Sequence, residues 1–294
     1  GKLRGLDEAQ FDAAFGIAGT YAPVPSAYKY FGVVADTRPM REVKLGWGWM
    51  CMAGTLAALS ARQGFGGGHG ILDGEHGFYV MAGSDRCDFD RITRGLGRGW
   101  MIVDTEYKIY PSIARNHPPH IAVRSLVEQH QIQPEEIKQI LVRGMQMRLV
   151  SDFNPQSAVD AQFSLPHAVA MAALQEPLGP EMYSDARLFD PLVRDMLRRV
   201  KLEHDVGADT LFFNEQRLRF STQIELKDGR ILQKDIEFPR DQPRLSWAQL
   251  EQKFRRLTAS TLSGAQADRA IEMIAALDRL TDLRELASAL CPRA

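Results

Sequence analysis

The chain has 294 residues, 45% of them hydrophobic and 25% charged, with a formal net charge of −1. That balance excludes a disordered tail, which lacks apolar residues, and a nucleic-acid coat, which carries a strong basic excess. Its three cysteines, Cys51, Cys87 and Cys291, are widely spaced and form no CxxC pair, so neither a disulfide framework nor a zinc site is predicted and a cytoplasmic location fits.

The length exceeds the roughly 100–200 residues of one domain and predicts two. The opening GKLRGLDEAQF lacks the apolar centre of a signal peptide, and no run of 18 apolar residues is present, so no membrane span is predicted. These first residues read like the middle of a protein, a turn leading straight into a helix. Phe11, Ala14, Phe15 and Ala18 follow Asp7 at helical spacing and predict a helix over 7–20, capped by Asp7 and ended by Gly19. Met50, Ala53, Gly54, Ala57, Ala58 and Ala61 repeat the i, i+3, i+4 pattern of a helix buried in a bundle. GFGGGHG at 64–70 stops it, since five glycines in seven residues are too costly in backbone entropy to stay helical.

Near residue 100 the pattern changes to strands alternating with helices. Pro134-Glu135-Glu136 opens a short helix, and Ile140–Val150 reads as a strand. Val200, Leu202, His204 and Val206 alternate on one strand face, which makes His204 a hydrogen-bonded core residue. Leu218–Leu226 and Ile231–Phe238 flank Asp228-Gly229, a hairpin signature. Ser246 with Gln249 three residues on opens a helix that presents Leu250, Phe254 and Leu257. A further helix is predicted over about 265–280, and a last short one carries Leu283, Leu286 and Leu290. The expected fold class is α+β: helical domain 1–100, α+β lid 101–243, and C-terminal helices 244–294 that return to the helical domain. No internal repeat is present.

Four segments carry a family resemblance. AALSARQGFGGGHGILDGEHGF at 57–78, KIYPSIARNH at 108–117, DAQFSLPHAVAMAAL at 160–174 and LEQKFRRLTASTL at 250–262 follow one another in the order of motifs of the MmgE/PrpD family. The chain resembles the C-terminal two-thirds of such a protein. The resemblance implies a cofactor-free lyase acting on a small di- or tricarboxylate such as 2-methylcitrate or cis-aconitate. In that family a large helical domain, incomplete in this chain, is paired with an α+β lid. It also implies that the absent N-terminal helices carry an aspartate, a threonine and a histidine of the active site. Either this is a fragment or a second polypeptide supplies them, and a homodimer or such a heteromer is the expected assembly.

Residue by residue, the resemblance places Lys108 and His117 at the lysine and histidine of the K-x-Y-P motif. Lys108 would hold a carboxylate as a point charge, and His117 would move a proton or orient its neighbours. The plain alternatives are a solvated lysine and a histidine at a helix entry. Lys44 stands near the family's lysine before the small-residue helix, one residue from the position at Val43 reached by counting back from Gly64. His167 replaces the tyrosine of F-S-L-P-Y, and the two side chains differ by about 3.5 units in free acidity; a satisfied core histidine is the other reading. Ser112 and Ile113 follow Pro111 where the motif has its cysteine. His69, in the glycine turn, is a weaker substrate-facing candidate, while Arg198-Arg199 and Arg255-Arg256 read as solvated helix faces. Trp47 and Trp49 would form an aromatic wall or pack in the bundle. The histidines lack metal-ligand spacing and there is no dinucleotide or phosphate-cradle motif, so no metal or cofactor is expected.

Three functions follow: a lyase that dehydrates or decarboxylates a polycarboxylate, an epimerase sharing the same proton abstraction, and a non-catalytic or repurposed subunit that binds a partner chain.

Overall fold

A computed structural model describes residues 1–20, 46–81, 87–147, 150–176, 179–242 and 244–291. They fall into two compact units, Gly1–Thr105 and Glu106–Ala294. Lys44 and the side chain of Trp47 lie outside the described residues.

In the first unit, α1 (Glu8–Thr20) starts where the sequence places it. Asp7 Oδ1 accepts the Gln10 amide at 2.8 Å and the Gln10 side chain accepts the Asp7 amide at 3.1 Å, a reciprocal cap. Helix α2 (Gly46–Arg62) packs on α1, and the glycine turn then folds against it. A Cβ on Gly67 would lie 2.4 Å from the Ala13 carbonyl oxygen, so only glycine permits that approach. The expected burial of α2 is corrected: only Ala57 and Ala61 are buried among its described side chains. Trp49, Met52 and Leu56 are 57%, 45% and 55% exposed, because α1 covers one stripe of the helix and leaves the other bare.

The second unit is built on a four-stranded mixed sheet with strand order β2-β1-β3-β4. Helix α3 (His117–His130) precedes β1 (Ile137–Gly144), after a single 3-10 turn, Pro134–Glu136, where the sequence predicted a short helix. Helices α4 (Ala158–Phe163), α5 (Leu165–Ala173) and α6 (Pro191–Arg199) lead to β2 (Val200–His204), which pairs parallel to β1. Helix α7 (Val206–Glu215) follows, then β3 (Leu218–Leu226) antiparallel to β1, and β4 (Ile231–Phe238) antiparallel to β3. Helix α3 packs on β3, β4 and α5, and the core gathers Ile140, Val142, Val200, Phe220 and Ile224 from the sheet with Val123, Leu126, Leu165, Val169 and Leu197 from the helices.

Three further expectations are corrected. The first strand runs over Ile137–Gly144 and not to Val150: its ends are set by partners, Ile137 opposite Leu226 and Gly144 opposite both Phe220 and His204. Val206 is not a strand residue but opens α7, because Asp205 accepts the Gly207 amide at 2.8 Å and caps the helix there. His204 is not a core residue: it sits at the end of edge strand β2, exposed, with Nε2 2.6 Å from Asp209 Oδ2. The Asp228-Gly229 hairpin forms as predicted, with Gly229 at φ +92°.

Helix α8 (Trp247–Thr258) has the expected Ser246/Gln249 capping box. Helix α9 (Gly264–Ala275) stops short of the predicted residue 280 and gives way to a 3-10 turn at Leu277–Arg279, and α10 (Arg284–Ala289) closes the fold. No helix among the described residues is long and apolar enough to cross a membrane.

Candidate active site

Within the second unit, the segment 108–117 is stitched to the start of α5. The Ile113 amide donates to Gln162 O at 3.1 Å, and Asn116 Nδ2 lies 3.3 Å from both Gln162 O and Ser164 O. Ser164 caps α5 by accepting the His167 amide at 3.0 Å and donates its own hydroxyl to Asp152 O at 2.6 Å. Arg115 lies over the Phe212 ring, 5.2 Å from its centroid, and anchors the segment to α7. The geometry of the K-x-Y-P segment therefore depends on contacts made some 46–48 residues away.

Lys108 is exposed, and its Nζ donates to Ser112 O at 3.0 Å. His117 is buried at the first residue of α3, where Pro118 and Pro119 need no amide partners. Its Nε2 has no hydrogen-bond partner among the described residues. Burial pushes its pKa down to about 4; the Lys108 and Lys253 ammonium groups push the same way, while the Ser112 and Tyr110 carbonyls resist. The imidazole is therefore neutral at pH 7. Tyr110 packs edge-on against His117 with centroids 5.2 Å apart, and its own hydroxyl is pushed up to about 12 by burial, with Arg124 opposing.

Two further histidines are buried nearby. His120, 4.0 Å from the Tyr110 ring, bonds Ala168 O through Nδ1 at 2.9 Å and is held down to about 3 by burial. His167 is fully buried: Nε2 bonds Met182 O at 3.0 Å, Nδ1 has no partner among the described residues, and burial lowers its pKa. Its ring lies 5.9 Å from that of Tyr183, whose buried hydroxyl is pushed up to about 12 by desolvation while the Ser112 side chain draws it back.

The fold thus brings Lys108 and His117 together at Ser112, while His167 lies beside Tyr183 on the start of α5. His69 belongs to the first unit, where its exposed ring meets Asp12 on α1. Among the described residues no three His, Cys, Asp or Glu side chains are grouped to hold a metal ion. Reading the sequence missed His120, Tyr183 and Lys253, whose ammonium donates to the Lys108 carbonyl. For Lys253 a signal existed, since it is the lysine of the K-F-x-x-L segment; for His120 and Tyr183 nothing local marked them.

These observations define a helix-dominated α+β protein with a buried neutral histidine flanked by lysines. Residues 1–89 match the MmgE/PrpD N-terminal domain and residues 110–279 the MmgE/PrpD C-terminal domain, and the chain belongs to that family. It is similar to a cis-aconitate decarboxylase of Aspergillus terreus (strain NIH 2624 / FGSC A1156), 24% identical over 314 residues that cover 99% of this chain and 62% of that protein. It is also similar to the cis-aconitate decarboxylase of Homo sapiens, 25% identical over 301 residues, 98% of this chain and 59% of the relative. The chain therefore spans about three-fifths of the length of these relatives.

Proposed function

We propose that this chain is the Lys108- and His117-bearing part of a cofactor-independent lyase. It acts on a small di- or tricarboxylate, taking a proton next to a carboxylate with loss of water or carbon dioxide. The observation that carries this reading is His117: a buried, uncharged imidazole with an unpartnered Nε2 beside the ammonium groups of Lys108 and Lys253. The cis-aconitate decarboxylase relatives support the same class of chemistry.

The geometry suits proton transfer next to a carboxylate in two ways. The ammonium of Lys108 offers a point charge for the substrate carboxylate and for the negative charge that builds on it as the proton leaves. Burial, and then the two lysines, make His117 a poor base by itself. A bound carboxylate offsets their charge, and the histidine's affinity for a proton rises when substrate arrives. Lys108 and His117 are thus the binding and proton-moving pair, His167 a buried neighbour acting through Tyr183 and Ser112, and Lys44 and His69 further substrate-binding candidates.

A partner chain or a second copy is part of the reading. The bare Trp49, Met52 and Leu56 stripe of α2 is a surface that helices of another segment would cover. The C-terminal helices 244–294 would belong with the helical domain. A second reading, a partner-binding relative without turnover, is favoured by His167, whose Nε2 is engaged by Met182 O.

The test is mass-detected turnover of a panel of di- and tricarboxylates, with the candidate partner chain added in a parallel series. Turnover of at least one panel member, falling about a hundredfold or more in Lys108→Met with melting retained, is the expected result. No turnover in either series, or near-normal turnover in the variant, would overturn the proposal.

A further inference from the structure

The lysine of the K-F-x-x-L segment does not stand alone. On α8, Gln249, Gln252, Lys253 and Arg256 follow i, i+3, i+4, i+7 and share one face, while Leu250, Phe254 and Leu257 share another. That polar face, with Ile109 and Leu245, lines a pocket of about 300 Å³ next to the K-x-Y-P segment. Its position is fixed by the Lys253 ammonium, which donates to the Lys108 carbonyl across 145 residues of sequence.

The charges in this pocket are unbalanced. Lys253 and Arg256 are like charges three residues apart, an arrangement that costs helix stability. Several other helical arginines are paired: Arg255 with Asp268, Arg269 with Glu285, Arg199 with Asp195, Arg124 with Glu128. Neither Lys253 nor Arg256 meets a carboxylate among the described residues, and none lines the pocket. Burial, and then Arg256, hold the Lys253 ammonium below its usual pKa, the direction expected of a cation without a counter-ion. Two amide side chains add hydrogen-bond donors, and Ile109 and Leu245 offer apolar walls for a carbon chain.

We infer that Gln249, Gln252, Lys253 and Arg256 form a carboxylate-binding subsite for a second carboxylate group of a substrate whose first carboxylate meets Lys108. The inference rests on the reading of Lys108 given above and deepens it: the site is built for a substrate with more carboxylates than Lys108 alone can hold, at least two, which favours di- and tricarboxylates over monocarboxylates. Lys253 then has two tasks, orienting the Lys108 segment through its carbonyl and presenting charge to the ligand. Arg256, exposed and without a hydrogen bond to the segment among the described residues, has only the second.

The experiment is calorimetric titration of the protein with two unreactive probes of equal carbon chain, tricarballylate with three carboxylates and valerate with one. Variants Arg256→Gln, Lys253→Met and Lys253→Arg are titrated alongside, each checked by thermal melting. Arg256→Gln carries the decision, because Lys253→Met also removes the bond to the Lys108 carbonyl. Expected are a tenfold or greater loss of tricarballylate affinity in Arg256→Gln and Lys253→Met, valerate affinity changed less than twofold in Arg256→Gln, and partial recovery in Lys253→Arg. Tricarballylate that fails to bind the unaltered protein, that binds Arg256→Gln unchanged, or whose loss is matched by valerate would overturn the subsite. If the binding pattern appears while no polycarboxylate is turned over, the lyase reading fails and the subsite stands. If turnover depends on Lys108 while Arg256→Gln leaves tricarballylate binding and KM unchanged, the subsite fails and the lyase reading stands.

Discussion

Lowering the pH from 7.5 to 4 puts a proton on His117 in the unfolded chain long before it does so in the folded one. The free imidazole titrates near 6.5, whereas the buried one is held to about 4. Between those values the unfolded state binds the extra proton, so acid favours unfolding. The stability contributed by neutral His117 is full above about pH 6.5, is lost as the pH falls towards 4, and changes no further once both states are protonated. At about 1.4 kcal/mol per unit, the displacement corresponds to about 3 kcal/mol, a large part of the 5–15 kcal/mol that holds a typical domain together. His120 and His167, also displaced downwards, add to the same slope. Urea unfolding at half-unit pH steps should therefore show stability falling through this window. In His117→Asn, which retains an amide donor towards the Ser112 and Tyr110 carbonyls, the fall should be shallower by about 1.4 kcal/mol per pH unit between about 6 and 4.5. Superimposable slopes for the two proteins would refute the buried, neutral state of His117.

Gly144→Ala should cost at least 1–3 kcal/mol of unfolding free energy, since the new Cβ would lie 2.2 Å from the buried Phe220 ring; an unchanged urea midpoint would contradict that packing. Ser164→Ala removes the α5 cap and its bond to Asp152 O, so a loss of about 1–2 kcal/mol is expected, with Ser164→Asn retaining part of it in the same melts. Lys108→Met should lower the melting temperature only slightly, because the side chain is exposed and its bond to Ser112 O is worth about 1 kcal/mol, while turnover falls about a hundredfold. A loss of folding as large as the loss of turnover would remove the case for a catalytic Lys108.

Features set within one or two turns of chain were legible in the sequence. Asp7 with Gln10 and Ser246 with Gln249 cap their helices because donor and acceptor lie three residues apart whatever the rest of the fold does. Asp228-Gly229 makes its hairpin because glycine accepts the left-handed φ that the turn requires. The K-x-Y-P and F-S-L-P segments, recognised as motifs, marked Lys108, His117 and His167 as candidates. Tertiary structure decided the rest. The alternation through His204 and Val206 looked like a buried strand, yet β2 is an edge, so His204 reaches solvent and Asp209, and the Asp205 cap turns Val206 into a helix. Burial, which sets the pKa of His117, His120 and His167, is a property of what packs over a side chain and not of its neighbours in sequence. Lys253 meets the Lys108 segment through a contact spanning 145 residues, and no local pattern encodes which distant lysine arrives there. The sequence alone determined which residue types were available for acid–base and carboxylate chemistry; only the packed fold decided which of them share a site, because charge, desolvation and hydrogen bonding act through space.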